Sequence, residues 1–156
     1  MKIQISPVKK IEDALCIWST PGPDVDMVLD ITKPLPFRPD SIKHMYAFHA
    51  LGETPFARAQ ALLNSWGALL KEKGHLYVIE TNMEYIYRNM LTGDILLEEV
   101  NKQFIRQAYY NKDLLATMLI RAGFPVKEQR VWFEQGLKFQ PKHYEIVISG
   151  EKKTSV

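Results

Sequence analysis

The chain is poor in the residues that mark several common kinds of site. Cys16 is the single cysteine in 156 residues, which excludes an internal disulfide and a thiolate metal cluster. Lying in an apolar run, it reads as a small buried hydrophobe, and such sparing use fits a reducing compartment. His44, His75 and His143 lie far apart and show no metal-ligand spacing, so no metal site is expected. There is no surplus of one charge: 20 basic residues stand against 18 acidic ones, a net of +2, so no nucleic-acid partner is expected. No apolar run approaches membrane-span length, and the N-terminus lacks the apolar core of a signal peptide. Internal repeats and low-complexity stretches are missing too. Together these point to a cytoplasmic single domain over residues 1–156, away from any membrane.

What is present is a succession of short apolar runs with turn chemistry between them. Lys2-Ile3-Gln4-Ile5 alternates as a strand and stops at Ser6-Pro7-Val8, a turn with no glycine. Residues 14–19, 25–31, 44–51 and 75–80 read as further strands. Thr54, Pro55 and Gly74 punctuate a helix whose apolar face holds Ala59, Leu62, Leu63, Trp66, Leu69 and Leu70. Residues 83–109 read as helical but broken at Thr92-Gly93-Asp94. A compact helix from about Asp113 to Ala122 ends at Gly123. Residues 126–133 and 144–149 close the chain as strands, with Gly136 and Pro141 between them. Trp18, Trp66, Trp132, Tyr46 and Tyr77 are expected in the core. Strands interleaved with helices, then a final strand pair, predict an α/β sheet, mostly parallel with an antiparallel C-terminal edge strand. The first crossover is abbreviated, since residues 6–14 leave room for at most a turn or two of helix.

Four stretches in this order carry a resemblance. They are Asp26-Met27-Val28-Leu29-Asp30-Ile31-Thr32-Lys33-Pro34-Leu35-Pro36-Phe37, His49-Ala50-Leu51-Gly52-Glu53, Leu69-Leu70-Lys71-Glu72-Lys73-Gly74, and Arg121-Ala122-Gly123-Phe124. The chain resembles, over nearly its whole length, the small class I S-adenosylmethionine-dependent methyltransferases, with their Rossmann-like sheet. That resemblance implies S-adenosylmethionine as cofactor and a small-molecule or biosynthetic-intermediate acceptor. Methyl transfer in the family is a direct displacement, in which the protein mainly positions two partners.

Carried over by position, the resemblance implies cofactor contacts at Ser6, Pro7 and Val8 in the first loop. It implies Ser19 or Thr20 at the end of strand two, Asp30 with Ile31 after strand three, and Phe48 and Leu51 around strand four. His49 is the candidate general base. Two of these places depart from the family pattern. A glycine-rich loop is replaced by Ser6-Pro7-Val8, where proline removes an amide and valine adds a branched Cβ. The acidic residue of strand two is replaced by an uncharged hydroxyl.

Each candidate also has a plainer role. Asp30 would suit an Asx turn, and His49 would suit backbone bonding at a strand end. The aromatic and Met-rich residues 83–110, Tyr85, Tyr87, Met90, Phe104, Tyr109 and Tyr110 among them, would pack on the sheet, cover an acceptor pocket or form a homodimer contact. Two functions therefore compete, a working methyltransferase or a non-catalytic relative that acts as a binding or partner subunit, and a crevice that holds another nucleotide or a sugar is a third.

Overall fold

The computed structural model describes residues 1–96, 98–100, 106–128 and 145–153. Its centre is a seven-stranded sheet. The strands are β1 (Lys2–Ile5), β2 (Leu15–Trp18), β3 (Met27–Val28), β4 (Ile42–Phe48), β5 (Leu70–Thr81), β6 (Val126–Glu128) and β7 (Glu145–Glu151). Their spatial order is β3-β2-β1-β4-β5-β7-β6. β1 pairs in parallel with β2 and β4, and β4 pairs in parallel with β5. β7 runs antiparallel to both its neighbours, β5 and β6, so the reversed strand sits one place in from the C-terminal edge. The expected mixed α/β sheet, mostly parallel, is the observed one.

Alternation decides which residues face which layer. Ile3 and Ile5 on β1, Met45 and Ala47 on β4, and Leu76 and Val78 on β5 face one side, all fully buried. Two helices cover that side: α1 (Phe56–Leu69) and α3 (Lys112–Arg121). α1 contributes Ala59, Leu63 and Trp66 and α3 contributes Leu115 and Leu119 to the same core. Each buried Leu, Ile or Met side chain among them contributes about 1.5–3 kcal/mol by leaving water. The opposite face carries Tyr46, Phe48, Tyr77 and Ile79, with Ile11 and Ala14 from the first crossover laid against them. Tyr46 and Tyr77 stack with ring centroids 4.8 Å apart.

A further helix, α2 (Met83–Thr92), ends at Gly93, whose φ of 81° lets its amide reach back to Asn89 and Met90 carbonyls. The expected break at Thr92-Gly93-Asp94 is there. α3 begins as expected, with Asn111 Oδ1 accepting the Leu114 amide at 2.9 Å, and finishes before Gly123 at φ 89°.

Three boundaries differ from the sequence reading. Thr54 is no cap: its hydroxyl donates to the Ala50 carbonyl at 3.2 Å, and α1 starts after Pro55. Gly74 does not end α1 but lies inside β5, because the chain turns directly from helix into strand at Leu70. A Cβ on Gly74 would stand 2.7 Å from the Lys71 carbonyl, so this irregular stretch of strand accepts only glycine without shifting. The third run shrinks to Met27–Val28, an exposed edge strand that, among the described residues, pairs with β2 alone. The first crossover, residues 6–14, contains no helix. The expectations for Trp132, Phe104, His143, Gly136, Pro141 and most of residues 126–133 lie outside the described residues.

Candidate functional site

The parallel strands β1, β2 and β4 open at their C-terminal ends into a cavity of about 190 Å³. This is where an open α/β sheet has its crevice. Ser6, Pro7 and Val8 supply one wall, Phe48 and His49 another. Trp18 at the end of β2, with Lys10, Glu53 and Arg106, completes it. Five of the positions suggested by the sequence therefore meet in one place.

The wall made by the first loop is closed upon itself. Ser6 donates its amide to the Ile17 carbonyl at 3.0 Å, and Pro7 has no amide. The Val8 amide points to Ser6 Oγ at 3.3 Å, while that hydroxyl donates to the Val8 carbonyl at 2.8 Å. Lys9 donates its amide to Asp24 Oδ2 at 3.4 Å. The Lys10 and Ile11 amides both reach Gln4 Oε1, at 2.9 and 2.8 Å. Gln4 Nε2 then donates to the Val8 carbonyl at 2.7 Å. Every amide from residue 6 to residue 11 thus has an acceptor within the protein.

His49 follows β4 directly in a left-handed backbone conformation, φ 56°, a strained setting for a residue that is not glycine. Its amide still pairs with the Ile79 carbonyl at 2.8 Å. The ring Nε2 lies 2.8 Å from Glu145 Oε1, and the Glu145 side chain is only 4% exposed. A buried carboxylate holding an imidazole fixes the orientation and tautomer of the ring.

Behind His49 the chain turns at residues 50–53, and Glu80 holds that turn. Glu80 Oε1 accepts the Leu51 amide at 2.9 Å and the Gly52 amide at 3.3 Å. Full burial pushes the Glu80 carboxyl up to about 8, although the two amides and the nearby Arg106 charge pull the other way. Burial, and after it Glu80, raises the Tyr110 hydroxyl above its ordinary range. The Gly52 carbonyl accepts amides from Gln107 and Ala108, which brings Arg106 to the cavity, with its Nε 3.5 Å from Glu53 Oε1.

The other carried-over positions lie elsewhere. Asp30 is exposed and closes its own turn: Oδ1 accepts the Thr32 amide at 3.0 Å and the Thr32 hydroxyl at 2.6 Å. Oδ2 pairs with Lys33 at 3.0 Å. The Thr32 hydroxyl first, then Lys33, hold the Asp30 carboxyl down at about 2. Ser19 Oγ accepts the Ile31 amide at 3.2 Å, and Thr20 faces solvent. Ile31 and Leu51 are core residues, 1% and 0% exposed.

Four residues important to this geometry carry little signal in the sequence. Gln4 hides in an alternating strand, and only its polarity between Ile3 and Ile5 marks it. Glu80 ends an apolar run, where a carboxylate stands out. Arg106 and Glu145 give no local sign, because their roles depend on strands and turns far along the chain. Among the described residues no group of three or more His, Cys, Asp or Glu side chains could hold a metal ion. No described helix is long and apolar enough to cross a membrane.

S-adenosylmethionine, which the fold implies, does not fit this arrangement. A cofactor cradled by loop amides needs donors facing it, and residues 6–11 have spent theirs. The cavity is also below the ~300–1,000 Å³ usual for ligands of that size.

No family model matches the sequence, and no curated protein matches it. Solved structures do match. A chain from a complex of the Haloferax volcanii Trm112 methyltransferase activator is similar, at 14% identity and a TM-score of 0.64, over 99% of this chain and 82% of that one. A SAM-dependent methyltransferase from Thermotoga maritima is similar at 15% identity and a TM-score of 0.64, covering 97% of this chain and 82% of the other. An S-adenosylmethionine-dependent methyltransferase from Mesorhizobium loti gives 12%, 0.62, 97% and 90% respectively. With its β3-β2-β1-β4-β5-β7-β6 sheet and a single reversed strand, the chain has the class I S-adenosylmethionine-dependent methyltransferase fold.

Proposed function

We propose that this chain is a non-catalytic methyltransferase-fold protein, acting as a binding or partner subunit. The observation that carries the reading is the self-satisfied first loop, in which each amide of residues 6–11 is bonded within the protein. Freeing those donors for a ligand would leave Gln4, buried beneath them, without its partners. The similar chain from the Trm112 activator complex supports a role among protein partners. A second copy of the chain is the partner that the exposed Tyr87, Leu91 and Tyr109 around α2 favour, since aromatic and apolar enrichment marks such contacts.

The competing reading is methyl transfer to a small-molecule or biosynthetic-intermediate acceptor. It draws on the Glu145–His49 pair, because a carboxylate-oriented imidazole suits a general base. Thermal unfolding with S-adenosylmethionine and S-adenosylhomocysteine separates the two. A ligand at 100 times its Kd adds about 2.7 kcal/mol, several degrees for a chain of this size. No shift at millimolar concentrations is expected. A saturable rise in Tm would restore the enzyme reading.

A further inference from the structure

The end of the sheet opposite the crevice carries charge that the fold does not use. β5 begins there and β7 finishes there, because the two strands are antiparallel. Between the last turns of α1, the end of α3 and the residues after β7 lies a cavity of about 350 Å³. Its lining includes Asn64, Gly67, Arg121, Gly123, Lys152 and Lys153 and, among the described residues, no carboxylate. A second cavity of about 380 Å³ shares Lys152 and Lys153 and adds Lys71, Glu72 and Asp40.

Packing shapes this cleft and decides which of its cations are spent. Gly67 lets α1 come close to the end of α3, since a Cβ there would stand 3.2 Å from the Phe124 ring and 3.3 Å from the Ala122 carbonyl. Lys152 belongs to the fold: its Nζ donates to the Leu70 carbonyl at 2.6 Å and to Asp40 Oδ1 at 2.9 Å. Its amide donates to the Gly74 carbonyl at 2.8 Å, which fixes where Lys153 leaves the sheet. Arg121, Lys71 and Lys153 are exposed, and among the described residues none of their side chains has an ion pair or a hydrogen bond. Asn64 Oδ1 accepts from Gln60 Nε2 at 3.0 Å, so its amide nitrogen is the group left over. Three cations outside any ion pair thus stand against one carboxylate, Glu72, in a chain whose net charge is only +2.

We propose that this cleft docks an extended acidic segment of a protein partner, its Asp or Glu side chains meeting Arg121, Lys153 and Lys71. Cations clustered without counter-charges steer and select an anionic partner. Spread over two adjoining cavities, they suit a chain bearing several carboxylates rather than one small anion. The lining holds no aromatic ring on which a nucleic-acid base could stack. Three cations are also few beside the phosphate density of a duplex. This rests on the partner-subunit reading above and gives that partner a surface and a charge. α2 follows the opposite end of β5, so the contact between copies proposed there is a separate one.

Fluorescence anisotropy with the full chain tests it, using labelled octaglutamate, octaglutamine and octathymidylate, with S-adenosylhomocysteine titrated calorimetrically as a separate arm. Octaglutamate is expected to saturate the protein at about 50 mM salt and to weaken about tenfold by about 200 mM, as screening of surface charge implies. Octaglutamine is expected not to saturate it. Arg121→Glu and Lys153→Glu, both at exposed sites, are each expected to weaken octaglutamate about fivefold. Arg58→Glu reverses a charge in the first turn of α1, the far end of that helix, and is expected to leave binding unchanged. The proposal is overturned if octaglutamine or octathymidylate binds as tightly as octaglutamate. It is overturned too if folded Arg121→Glu and Lys153→Glu both bind unchanged, or if Arg58→Glu weakens binding as much as they do. Saturable S-adenosylhomocysteine binding would instead overturn the non-catalytic reading. With that arm silent, failure of octaglutamate to saturate overturns the present proposal alone.

Discussion

Gln4 Nε2 donates to the Val8 carbonyl at 2.7 Å, while Gln4 Oε1 accepts the amides of Lys10 and Ile11. One buried side chain thus binds three backbone groups of a loop that has neither helix nor glycine to shape it. In a sheet of this order the loop after β1 faces the ligand crevice, and here it is bonded to its own strand.

Gln4→Ala removes partners from one buried and one partly buried amide and from a partly buried carbonyl. The loss is expected to cost about 2–4 kcal/mol and to lower Tm by roughly 6–12 °C. Thermal unfolding checks it. A change under about 2 °C would show that the loop does not depend on Gln4.

Glu80 sets a pH dependence. Its folded-state pKa, pushed up to about 8 by burial, lies above the ordinary 4.5. The folded state therefore holds a proton that the unfolded chain releases. The stability tied to that proton is fully present below pH 4.5 and is lost as pH rises towards 8. The size is of order 3–5 kcal/mol across the window. Denaturant unfolding from pH 5 to pH 8.5 is expected to show a downward slope in the native chain and a flatter one in Glu80→Gln. Equal slopes would mean that the carboxyl titrates normally.

His49 and Glu145 are expected to be energetically coupled through their 2.8 Å contact. A double-mutant cycle on His49→Ala and Glu145→Ala measures this from unfolding free energies. An interaction of about 1–3 kcal/mol is expected. Additivity within about 0.3 kcal/mol would leave the pair without a role in stability.

Gly150 and Gly93 are expected to respond to alanine for different reasons. A Cβ at Gly150 would lie 2.6 Å from Phe124 Cβ, an overlap that forces β7 and Phe124 apart. Gly150→Ala should cost about 1–3 kcal/mol as overpacking. Gly93 has open space around it but a φ of 81°, so Gly93→Ala should cost about 1 kcal/mol through backbone strain alone. A larger cost at Gly93 than at Gly150 would contradict the packing seen between Phe124 and β7.

The α2 surface offers a test of self-association. Leu91 is 89% exposed and Tyr87 59%. If a second copy covers them, light scattering over a roughly hundredfold concentration range should show a dimer that Leu91→Asp abolishes. A monomer throughout that range would remove the homodimer from consideration.

Much of the fold is legible along the chain. Ile3 and Ile5, His44 to Phe48 and the apolar face from Ala59 to Leu69 repeat at the periods of strands and helices. Gly123 marks the end of α3 because capping is local, while the Asn111 cap at its start emerged only in the structure. Gly74 misled because it carries the chemistry of a helix end, yet β5 pairs with β4 at that point, and a Cβ on it would stand 3.2 Å from the Ile42 and Lys43 carbonyls. Thr54 carries the chemistry of a cap, but its hydroxyl is bonded to the Ala50 carbonyl four residues back.

The candidate site divides in the same way. The sequence by itself determined that the turn after β1 lacks glycine, since that is a matter of composition at Ser6-Pro7-Val8. Only the tertiary structure decided what the turn does, because the donors of residues 6–11 could be counted only once Gln4, Ile17 and Asp24 stood beside them. Likewise His49 is visible as a strand-end histidine, but Glu145 reaches it through the pairing of β7 with β5, from 96 residues away. Periodicity and capping act within a few residues and can be read locally. A hydrogen bond is satisfied by whatever the fold brings near, and that is decided by packing.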